Sequence, residues 1–155
     1  MLTELWVDRT DYRRTQVVRS DIPEPGANEI LVAIDKFAMT ANNVTYAASG
    51  DLFGYWRFYP TGEDPWGKVT VWGIGEVIES RVDGISVGER LYGFFPMASH
   101  VVMAPAELSE RGFTDAMAHR QALPGLYNQY ARTQAEPAEL QQLEDQRCIF
   151  FPLFM

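Results

Sequence analysis

The stretch that decides the fold is Val71-Trp72-Gly73-Ile74-Gly75-Glu76-Val77-Ile78. Its β-branched and aromatic residues predict a strand. The pair Gly73 and Gly75 could be mistaken for the start of a dinucleotide-binding turn. However, the third glycine of that fingerprint is absent, and Val77 and Ile78 continue the strand where a helix should begin. We therefore predict that the glycines allow a close backbone approach or a bulge inside a barrel strand.

Strand signals also surround this stretch. Residues 2–8 and 13–19 are separated by a polar turn and predict a hairpin. Residues 29–38 form a nearly continuous apolar run, which is typical of a central strand covered on both faces. Residues 68–80, together with later strand signals up to 104, complete a barrel-like set. We expect the sheet to end at 104.

The segment before the deciding stretch has a different character. Small residues at 40–49, with Val44 at helical spacing, predict one short helix that is capped by Thr40 or Asn42 and ended by Gly50. Residues 51–68 are rich in aromatic residues, glycine and proline and follow neither period, so they predict a long ordered loop. Such loops often form the wall of a pocket.

After Pro105 the pattern becomes helical, at 113–120 and again at 126–132. From Pro137 an amphipathic helix is expected, with an apolar side made of Leu140, Leu143, Phe150 and Phe151. The apolar run 149–155 has no polar cap. We expect either a chain cut from a longer one or a docking surface, such as one for a second copy of the chain in a homo-oligomer.

The composition excludes several classes of protein. The length of 155 residues suits one domain, and 46% hydrophobic residues argue against disorder. A net charge of −8 argues against nucleic acid as a partner. Cys148 is the one cysteine, and Met1-Leu2-Thr3-Glu4 does not begin a secretory signal, so we expect a cytoplasmic location. No apolar run approaches the roughly 20 residues that cross a bilayer, so no membrane segment is expected.

These motifs together resemble the catalytic domain of medium-chain dehydrogenase/reductases. In that family a Gly-x-Val strand is followed by a Val-Gly-Asp-Arg-Val turn and strand, which residues 73–77 and 87–91 resemble. Residues 22–26 and 29–32 resemble the family's proline-rich turn and first long strand, with Asn28 where glycine is usual. The C-terminal third is most similar to an uncharacterised bacterial family related to these reductases.

The resemblance implies a fold and a domain organisation. The fold would be mainly β with some α, a GroES-like partly open β-barrel with a short helix and C-terminal helices. Residues 1–135 would form this catalytic-type domain. Residues 136–155 would form a C-terminal helix that begins the connection to a Rossmann domain outside the chain.

Residues 38–46 are similar to the zinc-free quinone-reductase branch, in which an Asn-Pro-x-Asp-x-Tyr type of segment forms one side of the active cleft. The resemblance implies that Asn42 and Tyr46 are catalytic and donate hydrogen bonds to the substrate carbonyl or the ribose. The branch's aspartate is Thr45 here, and the spacing near Gly50 is one residue short. The alternative is that Asn42 caps the short helix and Tyr46 packs it.

Aromatic residues in the expected loop suggest a wall for a flat substrate such as a quinone or an enone. Tyr55 and Trp56 are the candidates for this substrate cleft. The alternative is that these rings anchor the long loop to the barrel.

The zinc ligands of alcohol-dehydrogenase-like relatives are missing at their expected places. Met39 or Thr40 stands where these relatives have a cysteine, and Thr-Val-Trp at residues 70–72 stands where they have a Gly-His-Glu run. Zinc needs about four nitrogen, sulfur or oxygen ligands, and Cys148, His100 and His119 have no ligand spacing. We expect no metal site.

The resemblance therefore implies a catalytic-domain fragment of a zinc-independent quinone or enone reductase that is inactive alone. A full-length protein would use NADP and act on a small-molecule substrate. The competing hypothesis is a non-enzymatic barrel that serves as a binding or assembly module through its apolar C-terminal segment.

Overall fold

A computed structural model of the chain describes residues 1–149. Its strands are β1 (Leu2–Asp8), β2 (Asp11–Ser20), β3 (Ile30–Phe37), β4 (Trp66–Gly67), β5 (Thr70–Ser80), β6 (Arg90–Pro96), β7 (His100–Met103), β8 (Pro105–Ala106), β9 (Gly112–Asp115) and β10 (Gln129–Arg132). Its α-helices are α1 (Ala41–Ala48), α2 (Gly50–Phe53), α3 (Ala138–Gln141) and α4 (Glu144–Arg147). Short 3₁₀ turns lie at Tyr55–Arg57, Ala118–Arg120, Gly125–Asn128 and Thr133–Ala135.

The strands form two antiparallel sheets. One has the order β2-β1-β4, and the other has the order β7-β3-β5-β6-β10-β9-β8. The sheets are joined where Leu5 N donates to Met97 O and Ser99 N donates to Thr3 O. The result is a mainly β, GroES-like, partly open barrel, and it confirms the expected fold class. No helix within residues 1–149 is long and apolar enough to cross a membrane.

The predicted hairpin and central strand are both confirmed. The hairpin is β1 paired with β2, from Leu2 opposite Ser20 to Asp8 opposite Asp11. The central strand is β3, which lies between β5 and β7. Its buried N-terminal half matches the apolar run that predicted it.

The glycines of the deciding stretch lie inside β5, as predicted. A Cβ on Gly73 would lie 2.6 Å from Lys36 O, and one on Gly75 would lie 2.5 Å from Val32 Cγ1. The register of β3 shifts between Ile34 and Lys36, opposite this part of β5. Of the two predicted roles, the close approach is present and explains why β5 needs glycine here, while the bulge lies in the neighbouring strand β3.

The predicted short helix is α1, and of the two proposed caps the structure selects Thr40. Thr40 Oγ1 accepts from Asn42 N at 3.3 Å, and Asn43 Oδ1 accepts from Thr40 N at 2.6 Å, which completes a capping box. The prediction for Gly50 was wrong, because Gly50 begins α2. Position 50 needs glycine for packing, since a Cβ on this residue would lie 2.2 Å from Trp56 Nε1.

Two further predictions were wrong in the middle of the chain. The expected loop at 51–68 contains most of α2, a 3₁₀ turn and β4. The expected helices at 113–120 and 126–132 are instead built on β9 and β10, so the sheet continues past 104. Tertiary packing overrode local spacing here. Buried Phe113 and Tyr130 stack at 5.6 Å, and Tyr130 lies against Gly93 of β6.

The predicted C-terminal amphipathic helix was also wrong. The segment forms two four-residue helices, α3 and α4, and the expected apolar side chains of Leu140 and Leu143 are 38% and 42% exposed. Arg147 and Cys148 are buried instead. The remaining members of the apolar run, Phe150 to Met155, lie outside the described residues.

Ion pairs explain this arrangement of the C-terminal segment. Arg90 of β6 donates two hydrogen bonds to Glu144, each 2.7 Å long, and these bonds hold the pKa of Glu144 below its usual value. Lys36 of β3 lies 3.5 Å from the same carboxylate. Arg147 stacks over the ring of Tyr92 at 4.3 Å. Charged groups rather than leucines therefore face the barrel. The domain boundary expected at 135–136 stays a prediction.

We predict that Gly93→Ala lowers the free energy of unfolding by about 1–3 kcal/mol, because overpacking a filled core strains it. The new Cβ would lie 2.3 Å from the buried ring of Tyr130. Gly125→Ala is the matched control, since nothing lies within 4 Å of its Cβ position. Urea unfolding of both variants is the measurement, and equal stability of the two would contradict the packing argument.

Candidate functional site

Five rings from separate elements meet on one side of the barrel. This aromatic cluster consists of Tyr46 (α1), Tyr55 (a 3₁₀ turn), Trp72 (β5), Phe94 (β6) and Tyr127 (a 3₁₀ turn). Ring centroids lie 4.8 Å apart for Tyr46 and Tyr55, and 4.7 Å apart for Phe94 and Tyr127. The centroids of Trp72 and Phe94 are 5.1 Å apart. Tyr46, Trp72 and Phe94 are buried in this cluster, and Tyr55 and Tyr127 are its partly exposed members.

The hydroxyl of Tyr46 is the most distinctive polar group in the aromatic cluster. The residue is 5% exposed, and its hydroxyl oxygen accepts from Trp72 Nε1 at 3.1 Å. Burial raises the pKa of Tyr46 to about 12, so the hydroxyl stays protonated at neutral pH. Within residues 1–149 the structure gives its hydrogen no acceptor. A buried tyrosine hydroxyl usually finds such a partner, so the Tyr46 hydrogen is a donor without an acceptor in the described part of the chain.

A second pair of hydroxyls lies at the more open side of the aromatic cluster. The hydroxyl oxygens of Tyr55 and Tyr127 are 2.9 Å apart, and both residues are only partly buried. Burial is the main cause that raises the pKa of Tyr127 above its usual value. The hydroxyls of Tyr127 and Tyr46 therefore place protonated oxygens beside apolar rings, as small-molecule sites commonly do.

The structure brings together two of the four predicted site residues. Tyr46 and Tyr55 contact each other in the aromatic cluster. Asn42 is exposed, and the buried asparagine is its neighbour Asn43, whose Nδ2 donates to Thr70 O at 2.8 Å. Trp56 belongs to the other core cluster, where its ring lies against Gly50 and Gly67. Catalytic roles for Asn42 and Tyr46, and a cleft role for Tyr55 and Trp56, stay predictions.

Sequence reasoning missed a buried ion pair behind the aromatic cluster. Arg120 is fully buried, and its Nη1 lies 2.8 Å from Asp115 Oδ2. The same nitrogen donates to the hydroxyls of Tyr59 at 2.7 Å and Tyr130 at 2.9 Å. Nε donates to Asn128 Oδ1 at 2.9 Å. We call these residues the Arg120 network.

The Arg120 network also positions one ring of the aromatic cluster. Nη2 of Arg120 donates to Tyr127 O at 2.6 Å, which fixes the turn that carries the Tyr127 ring. The partners come from parts of the chain that are up to 61 residues away from Arg120. No local spacing in the sequence marks such a set, although an arginine in an otherwise apolar region could have drawn attention to it.

Metal ligands are not grouped in the described part of the chain. Within residues 1–149, no group of three or more histidine, cysteine, aspartate and glutamate side chains could hold a metal ion. Cys148 is buried, and burial is the main cause that raises the pKa of its thiol. His119 Nε2 lies 3.0 Å from Phe58 O.

A family model described as "Protein of unknown function (DUF2855)" matches residues 37–155. The chain belongs to this family. The curated protein "Alcohol dehydrogenase 2" of Emericella nidulans is 28% identical to this DUF2855 chain over 81 residues, which are 50% of the chain and 21% of that protein.

The solved structure of CurA shares the fold of this DUF2855 chain. CurA from Vibrio vulnificus is 14% identical, with a TM-score of 0.52 over 70% of this chain and 32% of its own. The quinone oxidoreductase of Coxiella burnetii is 16% identical, with a TM-score of 0.48 over 93% of this chain and 44% of its own. The chain spans less than half the length of these relatives. At such identities the likeness to CurA shows the fold alone.

We predict that Arg120→Met lowers the free energy of unfolding by about 3–5 kcal/mol, because it leaves the buried Asp115 carboxylate without its countercharge. Arg13→Met is the control, since Arg13 forms an exposed pair with Asp11. The control variant should lower the free energy of unfolding by less than about 1 kcal/mol. Chemical unfolding at neutral pH measures the stability of both variants. A similar small effect for the two would show that the Arg120 network contributes little to stability.

The raised pKa of Tyr46 predicts a contribution to stability that is present below pH 10 and is lost as pH rises toward about 12. Over that window the unfolded chain ionises this tyrosine first, which favours unfolding by about 1.4 kcal/mol per pH unit. Tyr46→Phe should remove this part of the alkaline loss. The check is urea unfolding of wild type and variant at neutral pH and at about pH 11. An unchanged difference between the two proteins would contradict the assignment.

Proposed function

We propose that the chain forms the substrate-binding side of a zinc-independent oxidoreductase of the quinone-reductase type, in which Tyr46 donates a hydrogen bond to the substrate's carbonyl oxygen. The observation that carries this proposal is the buried hydroxyl of Tyr46. Its oxygen accepts from Trp72 Nε1, and its hydrogen has no acceptor among residues 1–149. A ligand that brings an oxygen acceptor would complete this arrangement.

The chemistry of such a reduction suits this donor. A quinone or enone gains negative charge on its carbonyl oxygen as a hydride is delivered, and a preorganised donor stabilises that charge. The hydrogen bond from Trp72 fixes the orientation of the Tyr46 hydroxyl and polarises it further. The rings of the aromatic cluster suit a flat conjugated substrate.

The comparisons support the coarser part of this proposal. The shared fold and the partial match to an alcohol dehydrogenase support an oxidoreductase-like domain. The finer part rests on the similarity of residues 38–46 to the zinc-free quinone-reductase segment. In that segment Asn42 is exposed at the start of α1. We propose that Asn42 contacts the solvent side of the substrate or the ribose.

The described residues do not fit a dinucleotide. Within residues 1–149 every recorded strand pairing is antiparallel, whereas a dinucleotide unit needs parallel strands joined by a helix. We therefore assign NADP, which supplies the hydride in reactions of this class, to a domain outside these residues. The share of this chain is to bind the substrate, to orient it and to donate a hydrogen bond.

An assembly role is the second candidate function, and exposed apolar side chains favour it. Leu140, Leu143 and Ile149 of the C-terminal segment are 38%, 42% and 59% exposed. Such residues could contact a partner, including a second copy of the chain. This role needs no reaction at the aromatic cluster.

The proposed function is tested by titrating the protein with duroquinone and following tryptophan fluorescence. Tyr46→Phe should weaken binding about tenfold, because one hydrogen bond to a buried donor is lost. Durene, which lacks the two carbonyl oxygens, should bind wild type and Tyr46→Phe equally. Tyr12→Phe is the matched control, since its hydroxyl donates to Ala47 O outside the aromatic cluster.

Equal affinity of wild type and Tyr46→Phe for duroquinone would overturn the proposal. A protein that does not bind duroquinone, and whose self-association in sedimentation is abolished by Leu143→Ser, would favour the assembly role. NADPH consumption with quinones and enones, measured on the protein as its gene encodes it, tests the reductase activity separately from substrate binding.

A further inference from the structure

A cleft of about 430 Å³ lies over β6, β9 and β10. Tyr46 and Tyr55 are not among the residues that line it, although Trp72 forms part of its wall. Its volume is within the range of small-molecule sites. The cleft is therefore a different site from the one proposed around Tyr46 for the carbonyl substrate.

The floor of this cleft consists of two stacked ring pairs. Trp72 and Tyr92 have centroids 5.8 Å apart at an interplanar angle of 27°. Phe113 and Tyr130 have centroids 5.6 Å apart at 17°. All four residues line the cleft, and each is at most 6% exposed, so only small parts of their rings reach it. Such a surface favours a planar, largely apolar ligand.

The rim of the cleft carries a cation that the protein does not use. Arg111 lines the cleft and is exposed, and its guanidinium makes no hydrogen bond or ion pair within residues 1–149. The neighbouring Arg132, in contrast, donates to Glu89 at 2.7 Å and 2.8 Å. The acidic group on the rim, Glu107, accepts from Thr114 Oγ1 at 2.9 Å. Arg111 is thus the cation of the cleft lining, and Glu107 keeps its negative charge on the same rim.

We propose that this cleft binds a planar aromatic anion, with its rings against the aromatic lining and its carboxylate or sulfonate on Arg111. A guanidinium forms charge-assisted, often paired hydrogen bonds with such groups. The protein as a whole has a net charge of −8, which repels anions at long range. Binding of an anion therefore depends on the local contact with Arg111.

Two fluorescent probes that differ by one charged group test this proposal. Anilinonaphthalenesulfonate carries a sulfonate, and N-phenylnaphthylamine has the same arylamine skeleton without it. Arg111→Ala should weaken binding of the sulfonate probe about tenfold, because a charge-assisted hydrogen bond is lost, and should leave the neutral probe unchanged. Naphthoate should displace the sulfonate probe from wild type and should compete much more weakly in the variant.

Arg19→Ala is the control, because Arg19 is an exposed arginine on β2 outside the cleft. It should leave both affinities unchanged. Leu126→Glu adds a negative charge to an exposed position of the cleft wall. It should weaken binding of the sulfonate probe more than binding of the neutral probe. If Arg111→Ala leaves sulfonate binding intact, or weakens both probes equally, the proposal is wrong.

Discussion

A buried guanidinium is the constraint on which much of this barrel depends. Removing Arg120 from water is costly unless its nitrogens find partners. Here each of the three nitrogens donates to at least one group, and the partners are a carboxylate, two phenol hydroxyls, an amide and a backbone carbonyl. The hydroxyls of Tyr59 and Tyr130 in turn donate to Phe94 O of β6. The Arg120 network therefore ties β9, the two 3₁₀ turns after it and β10 to the centre of the large sheet.

The geometry of the candidate site depends on how the Arg120 network holds the turn that carries Tyr127. Once the turn that carries Tyr127 is held by Arg120, its ring completes the aromatic cluster against Phe94 and Tyr55. The same strands also form the floor of the second cleft through Phe113 and Tyr130. One buried network thus supports two surfaces of different chemistry. The first offers a neutral donor, the Tyr46 hydroxyl, and the second offers a cation, Arg111.

Apart from Gly50 and residues 51–68, the sequence predicted the fold up to residue 104 well, because local signals there agree with the tertiary structure. The apolar run of β3, the hairpin of β1 and β2, the Thr40 cap and the glycines of β5 all act over short distances. After Pro105 the same reasoning failed. The patterns of residues 113–120 and 126–132 each predicted a helix. Phe113 and Tyr130 are strand residues because they pair across β9 and β10 and because Gly93 leaves space for the Tyr130 ring.

In the candidate site too, some features follow from local sequence and others only from the tertiary structure. The sequence by itself determined the hairpin, the central strand and the glycine-containing strand of the barrel, the short helix that carries Tyr46 and the presence of aromatic residues near it, since these depend on periodicity and capping within a few residues. Tertiary structure alone decided that Asn42 faces solvent, that Trp56 packs away from Tyr55, and that Trp72 donates to Tyr46. It also decided that Arg120 meets Asp115 and Tyr59 in the interior. The physical reason is that hydrogen bonds and ion pairs join groups by distance in space, and that distance exists only after the sheet has closed.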